Sequence, residues 1–267
     1  MPGFRFAAVL ALLSGAANAA TPVTAALQAE LAPTGVLRAA INYNNPLLAH
    51  RDPATGELSG VAVDLSRELA RRLGVGVVLV PYEAAGQISG SAATGAWDIA
   101  YLAIDPARAG DISFTAPYLE LEGTYLVPAG SKLDSVDAVD QDGVRIAVTA
   151  KSAYDLYLSR HLRHAQLVRA ATTPESIDLM LAQHLDAVAA VRTALITGAQ
   201  RVAGSRVLGG HFMTIPQAAG VPIGRPAAAA YIREFIEAMK ASGFVADALR
   251  NHGLGPDDAI VAPPAAP

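Results

Sequence analysis

Few groups of residues in this chain combine types and spacings that suit bond-making chemistry. His161 and His164 stand three apart on a predicted helix, a spacing compatible with two metal ligands. Arg160 and Arg163 intervene, however, and no third ligand is evident, so the pair reads as surface histidines and no metal is expected. The stretch Gly86-Gln87-Ile88-Ser89-Gly90 lacks the Gly-x-Ser-x-Gly pattern of a nucleophile elbow. Glycine-rich phosphate loops of Walker or Rossmann type are absent, and no cofactor is expected. With no cysteine in the chain, disulfides, thiolate zinc sites, iron–sulfur clusters, cysteine nucleophiles and lipid attachment through an N-terminal Cys all drop out. What remains suits binding: Arg108, Arg192, the hydroxyl of Ser152, and the polar run Asn42-Tyr43-Asn44-Asn45.

These residues need a scaffold, and composition supplies one. The chain has 267 residues, enough for one large domain or two lobes of roughly 100 residues each. Its 52% hydrophobic and 16% charged content excludes intrinsic disorder. A net charge of -4 with no Lys/Arg block leaves no electrostatic footprint for a nucleic-acid partner.

The first residues read as an export signal. Arg5 precedes the apolar run Ala7 to Leu13, and Ala17-Asn18-Ala19 offers the small residues a signal peptidase reads, so 1–19 is expected to be removed. The run is well short of the ~20 residues of a membrane span. No later segment is long and charge-free enough to span, so a soluble periplasmic protein is expected.

The mature sequence alternates short apolar runs with helical patterns, the rhythm of an α/β protein. Strands are expected at Val36 to Ile41, Val75 to Val80, Asp98 to Ala103, Val144 to Thr149 and Asp186 to Ala190. Leu65, Leu69 and Leu73 mark one helix face, with Asp64 at its positive end and Gly74 as its stop. Helices are also expected over 153–163 and 174–184, the second started by Thr173 as capping hydroxyl before Pro174 and Glu175. Tyr231, Ile232, Phe235, Ile236 and Met239 share a core-facing stripe ended by Gly243, and 259–267 is expected to be a disordered tail.

The order of local motifs is more specific. Leu58-Ser59-Gly60-Val61-Ala62-Val63-Asp64-Leu65 is followed by Leu73-Gly74, Gly95-Ala96-Trp97-Asp98-Ile99-Ala100 and Asp105-Pro106-Ala107-Arg108. Phe114-Thr115-Ala116-Pro117-Tyr118 and Gly123-Thr124-Tyr125-Leu126-Val127 complete the series. Over about residues 35 to 250 this resembles the family 3 extracellular solute-binding proteins, the polar amino-acid receptors of ABC importers. The resemblance implies a type II periplasmic binding protein fold, with two α/β lobes, two crossings and a ligand enclosed by hinge closure. Lobe 1 would comprise 22–126 and 217–258, and lobe 2 129–214, with crossings near Tyr125 to Pro128 and Pro216 to Gly220. The implied partners are a small carboxylate ligand and an inner-membrane permease, the protein acting as a monomer and not as an enzyme.

The resemblance also assigns roles. Arg108 would hold the ligand carboxylate, since a guanidinium offers two parallel donors and keeps its charge away from water; otherwise it pairs at the surface with Asp105 or Asp111. Ala103 and its neighbours would present backbone N–H groups at the same strand end. In lobe 2, Ser152 would bind the carboxylate at a helix N-terminus, a role compatible with ordinary capping, with Ala153 and Tyr154 behind it. Asn42 and Tyr43 would line the lobe 1 wall, unless Asn44-Asn45-Pro46 merely builds a turn.

The sequence departs from the family where a carboxylate usually meets the ligand's ammonium. Asp186-Ala187-Val188-Ala189-Ala190-Val191-Arg192-Thr193 has no such acid, and Arg192 stands beside its place. Asp105 either supplies the missing anion or caps a turn. Arg192 either faces the cleft, favouring an organic acid with two carboxylates, or points outward while Val191 lines the pocket. Two other functions fit the same scaffold, a periplasmic enzyme similar to cyclohexadienyl dehydratases and a receptor for a membrane signalling partner. The enzyme would need a general acid where Val191 or Arg192 stands.

Overall fold

The computed structural model describes residues 22–265, so the expected signal peptide lies outside the described residues. The chain begins with α1 (Ala25–Leu31), β1 (Val36–Asn42), a short ribbon of β2 (His50–Arg51) and β3 (Leu58–Ser59), and α2 (Val61–Leu73). β4 (Gly76–Tyr82), α3 (Ala85–Gly90), β5 (Ile99–Ala103) and β6 (Ile112–Phe114) follow. β7 (Leu119–Val127) leads into β8 (Arg145–Thr149), α4 (Ala153–His161), β9 (Gln166–Ala170) and α5 (Thr173–Gln183). Next come β10 (Ala187–Val191), α6 (Arg192–Ala199) and β11 (Arg206–Val207). The chain returns on β12 (Met213–Pro222) to α7 (Pro226–Ala241), α8 (Phe244–Asn251) and β13 (Ile260–Val261).

The strands run in the order β4-β1-β5-β12-β7-β10-β8-β9. β1 is parallel to β4 and β5 on one side, and β8 is parallel to β9 and β10 on the other, giving two α/β lobes. The antiparallel strands β7 and β12 pair with each other over 119–123 and 213–217 and carry the chain between the lobes. Tyr125 already pairs with β10 of lobe 2, so the first crossing comes a few residues before the expected 125–128. Gln217 to Gly220 pair with β5, so the second crossing comes just before that stretch.

Each lobe sets its central strand with the same device. A fully buried Asp98 accepts from the Arg38 backbone N–H (3.1 Å) and side chain (2.7 and 2.9 Å), and from Arg225 (3.0 Å). In lobe 2, Asp186 accepts from the Arg145 N–H at 2.8 Å, and Arg145 itself donates to the carbonyls of Gln183 and His184. A carboxylate before each central strand therefore fixes where that strand begins, and so where its C-terminal end meets the cleft.

α2 forms as its leucine spacing predicts, with Leu65, Leu69 and Leu73 buried and Gly74 left-handed at the C-cap. Gly60 is required at its other end, because a Cβ there would stand 2.5 Å from the Leu48 carbonyl oxygen. Asp64 bonds His252 at 2.8 Å. Two expectations need correction. Thr172, not Thr173, caps α5 by accepting from the Glu175 N–H at 3.3 Å, which releases the Thr173 hydroxyl for other contacts. The start of the supposed tail is ordered: β13 pairs with β7, Ala262 N–H donates to the Tyr118 carbonyl, and Lys240 donates to the Pro263 carbonyl. The expectation failed because an Ala/Pro-rich composition says nothing about an unpaired strand edge elsewhere that can accept it.

Candidate functional site

A cleft lies between the lobes at the C-terminal ends of β1, β5, β8 and β10, where open α/β sheets place their ligands. Lobe 1 contributes Asn42, Asn44, Asn45 and Leu48 after β1, Glu83, Ala84 and Ala85 at the start of α3, and Tyr101, Leu102, Ala103 and Arg108. Lobe 2 contributes Thr149, Ser152, Ala153, Tyr154, Thr173 and Val191, and the crossing strand contributes Ile215 and Gln217. The cavity volume is about 50 Å³.

Arg108 is 2% exposed. β5 ends at Ala103, and a turn in which the Arg108 N–H donates to the Asp105 carbonyl folds the side chain back under the strand end. Its Nη1 donates to the Ala103 carbonyl at 2.8 Å and its Nη2 to the Lys151 carbonyl of lobe 2 at 3.0 Å. Nε is buried with no partner, and each Nη retains a second N–H, so a two-pronged donor set is free for an anion. Burial lowers the guanidinium pKa to about 10, against the opposing influence of Asp105 and Tyr154. It is therefore charged at neutral pH and largely desolvated, a state that an anion in the cleft would relieve.

Facing it, the loop after β8 runs into α4. Ser152 caps this helix, accepting from the Asp155 N–H at 3.1 Å, while also lining the cleft, so the two roles coincide. Lys151 is left-handed at φ 57, a conformation uncommon for a residue with a Cβ, and its carbonyl is the one that meets Arg108. Behind the loop, Thr173 Oγ1 is 3.0 Å from Tyr154 OH and 3.1 Å from Thr149 Oγ1, a buried network of hydroxyls. Burial raises the Tyr154 pKa, so its phenol is neutral at physiological pH.

The lobes are in contact across the cleft. Arg160 on α4 reaches Asp105 with two bonds, at 2.8 and 3.3 Å. Gly86 approaches the opposing loop so closely that a Cβ there would lie 2.7 Å from the Lys151 Cβ.

Arg108, Ser152, Asn42, Ala103, Ala153 and Tyr154 thus come together in the cleft, whereas three other expected residues do not. Tyr43 stands outside the lining, its hydroxyl donating to Glu83 (3.1 Å) and its ring under Arg51. Asp105 is committed to Arg160 and to capping its own turn through the Ala107 N–H (2.8 Å). Arg192 points away: β10 runs directly into α6, and the side chain donates to Glu122 at 2.7 Å and to the carbonyls of Leu208 and Gly210, leaving Val191 in the lining. His161 and His164 take separate partners, the Tyr157 carbonyl and Asp142.

Sequence reasoning missed Thr149, Thr173 and Gln217. The first ends a predicted strand, and that position was the available signal; Gln217 reaches the cleft only through the pairing of β12 with β5.

The profile of the bacterial extracellular solute-binding proteins, family 3, matches residues 37–254. The chain belongs to this family. Among solved structures, the solute receptor for L-cysteine of Neisseria gonorrhoeae matches with a TM-score of 0.75 at 19% identity, over 86% of this chain and 97% of the receptor. A mutant of ArgBP from T. maritima matches with a TM-score of 0.73 at 19% identity, over 85% and 99%. An ancestral amino-acid-binding protein, a precursor of cyclohexadienyl dehydratase, matches with 0.70 at 22%, over 83% and 96%. At these identities the likeness speaks for the two-lobed type II periplasmic binding protein fold. No curated protein sequence matches the chain. Among the described residues of this family 3 protein, no helix is long and apolar enough to cross a membrane.

Proposed function

We propose that this solute-binding protein closes over a small solute by its carboxylate and delivers it, as a monomer in the periplasm, to an ABC importer. One observation carries the reading: Arg108 is buried between the lobes with its Nε unpartnered, and its Nη2 is bonded to a lobe 2 carbonyl. A cationic fork at that place suits a carboxylate that also meets the N-terminus of α4, joining the lobes through the ligand. Delivery to a permease is inferred from family membership.

Binding without turnover is the reading preferred over a dehydratase. Among the described lining residues the one carboxylate is Glu83, which is exposed and accepts from Tyr43, so no buried carboxylic acid faces the ligand. A thermal-shift screen over carboxylates, followed by mass spectrometry of the mixtures, tests both parts. The expected result is stabilisation by at least one small carboxylate with no product formed. Consumption of prephenate or arogenate at enzymic rates would overturn the receptor reading, and stabilisation by none of the carboxylates would overturn the ligand class.

A further inference from the structure

Lobe 2 meets the ligand with hydroxyls and no charge. Thr149, Tyr154 and Thr173 are each more than nine-tenths buried and bonded to one another, and each has oxygen lone pairs to spare. Val191 supplies the adjoining wall with hydrocarbon. Across from them Gln217, 4% exposed, has a buried Oε1 with no donor, on the strand residue that pairs with Ala103. Ala103 is also the residue whose carbonyl holds Arg108. A carboxylate at Arg108 therefore shares its lining with a glutamine amide on the crossing strand and the neutral hydroxyls of lobe 2, the groups open to its C2 substituent.

An ammonium at C2 would enter this space charged and leave water with no buried anion to meet it, at a cost of several kcal/mol. The two nearby acids are unsuited to the task, since Asp105 is taken by Arg160 and Glu83 lies exposed against Tyr43. A keto oxygen accepts only, so it can answer Gln217 solely if the side-chain amide turns to present its N–H, whereas a hydroxyl answers either face. A hydroxyl donates one bond, to Gln217, and accepts from the hydroxyl network, so it satisfies both sides without charge. Size restricts the choice further: with the lobes in contact, the centre of a water-sized sphere can range over only about 50 Å³ of the cleft, which favours a short skeleton.

Resting on the reading that the cleft holds a carboxylate, we propose that the protein is selective for short 2-hydroxy monocarboxylates, with Gln217 and the Thr149–Thr173–Tyr154 hydroxyls as its specificity determinants. Titration calorimetry of the full mature chain with glycolate, L-lactate, D-lactate, pyruvate, glycine and L-alanine tests it. At least one hydroxy acid is expected to bind about 100-fold tighter than its amino analogue and about tenfold tighter than its oxo analogue. Thr173→Val should weaken the hydroxy acid about tenfold, and Thr173→Ser should restore most of that loss, which a packing role would not predict. Val191→Asp, which places a carboxylate in the lining, should improve L-alanine binding at least tenfold over the parent.

An amino or oxo acid that matches its hydroxy analogue in the parent would overturn the selectivity while leaving the carboxylate reading in place. An unchanged response to L-alanine in Val191→Asp would also overturn it, because the missing acid would then not be what excludes amino acids. If none of these acids bound while a longer carboxylate stabilised the protein, the selectivity would fall alone. Failure of every carboxylate would bring down the proposed function as well.

Discussion

Each lobe carries an arginine soon after a buried central strand that an aspartate sets in place, and the two arginines have opposite fates. Arg108 follows Asp98 and β5, Arg192 follows Asp186 and β10, and by residue type alone they are equivalent. β5 exits into a turn that doubles Arg108 back beneath the strand end, where the carbonyls of Ala103 and Lys151 hold it. β10 exits straight into α6, which turns Arg192 toward Glu122 on the crossing strand β7 and toward the carbonyls of Leu208 and Gly210. The connection after a strand, and not the residue at its end, decides which charge enters the cleft. One lobe consequently presents a cation to the cleft and the other a helix N-terminus with hydroxyls.

The sharpest way to break this contrast is Arg108→Ala. Ligand affinity should fall by at least about 100-fold, the usual scale for losing one partner of a buried charge-assisted pair. Calorimetry reads the loss, and an unchanged circular dichroism spectrum confirms that the fold survives. Affinity within twofold of the parent would place the carboxylate elsewhere.

Gly86→Ala attacks the contrast from outside the chemistry, by opposing the approach of the lobes at Lys151. Alanine suits α3 better than glycine does, so the melting temperature of the unliganded protein should hold or rise. Affinity should nevertheless drop about tenfold, with small-angle scattering showing a larger radius of gyration in the liganded variant than in the liganded parent.

The two arginines also differ in their response to pH. Burial lowers the pKa of Arg108 to about 10, and only its charged form would hold the proposed carboxylate. Affinity should therefore be level from neutrality to about pH 9, then fall as pH rises through 10 and the guanidinium loses its proton. Titrations at a series of pH values check this, and affinity that stays flat up to pH 11 would show that the guanidinium keeps its proton in the cleft, leaving Arg108→Ala to decide the anchor.

A smaller effect is expected from Asp105→Asn. Its partner Arg160 is 43% exposed, so the interlobe pair is partly screened by solvent. Affinity should weaken about threefold, mainly through a faster off-rate in stopped-flow displacement. The smallest effect on binding belongs to Arg192→Glu: affinity should stay within twofold, while the melting temperature falls by a few degrees because Glu122 loses its cation and gains a like charge. A marked change in carboxylate affinity would return Arg192 to the cleft.

Most of the fold was legible because its signals are local. Leucines at helical spacing closed by Gly74 define α2, and apolar runs begun by Asp98 and Asp186 define β5 and β10, since these patterns report which face of a segment must leave water. The candidate site was legible in part. Arg108 and Ser152 sit in motifs whose order the family shares, whereas Thr173 read as a helix cap because Thr172, its neighbour, carries the same hydroxyl. Gln217 had no local signal at all.

The sequence by itself determined the alternation of strands and helices, the leucine stripe of α2 and the Gly74 that ends it, and the absence of an acid beside Val191. Burial patterns, caps and residue types act over a few positions, so a linear reading captures them. Tertiary structure decided what required distant segments to meet: Asp98 with Arg38, Asp186 with Arg145, Arg108 with the carbonyl of Lys151, Asp105 with Arg160, Gln217 beside Ala103, and Ile260–Val261 as a strand on β7. Whether a buried charge or an unpaired acceptor faces a ligand depends on which partners folding brings within about 3 Å of it. That distance is set by strand pairing and lobe closure, across separations that no local pattern encodes.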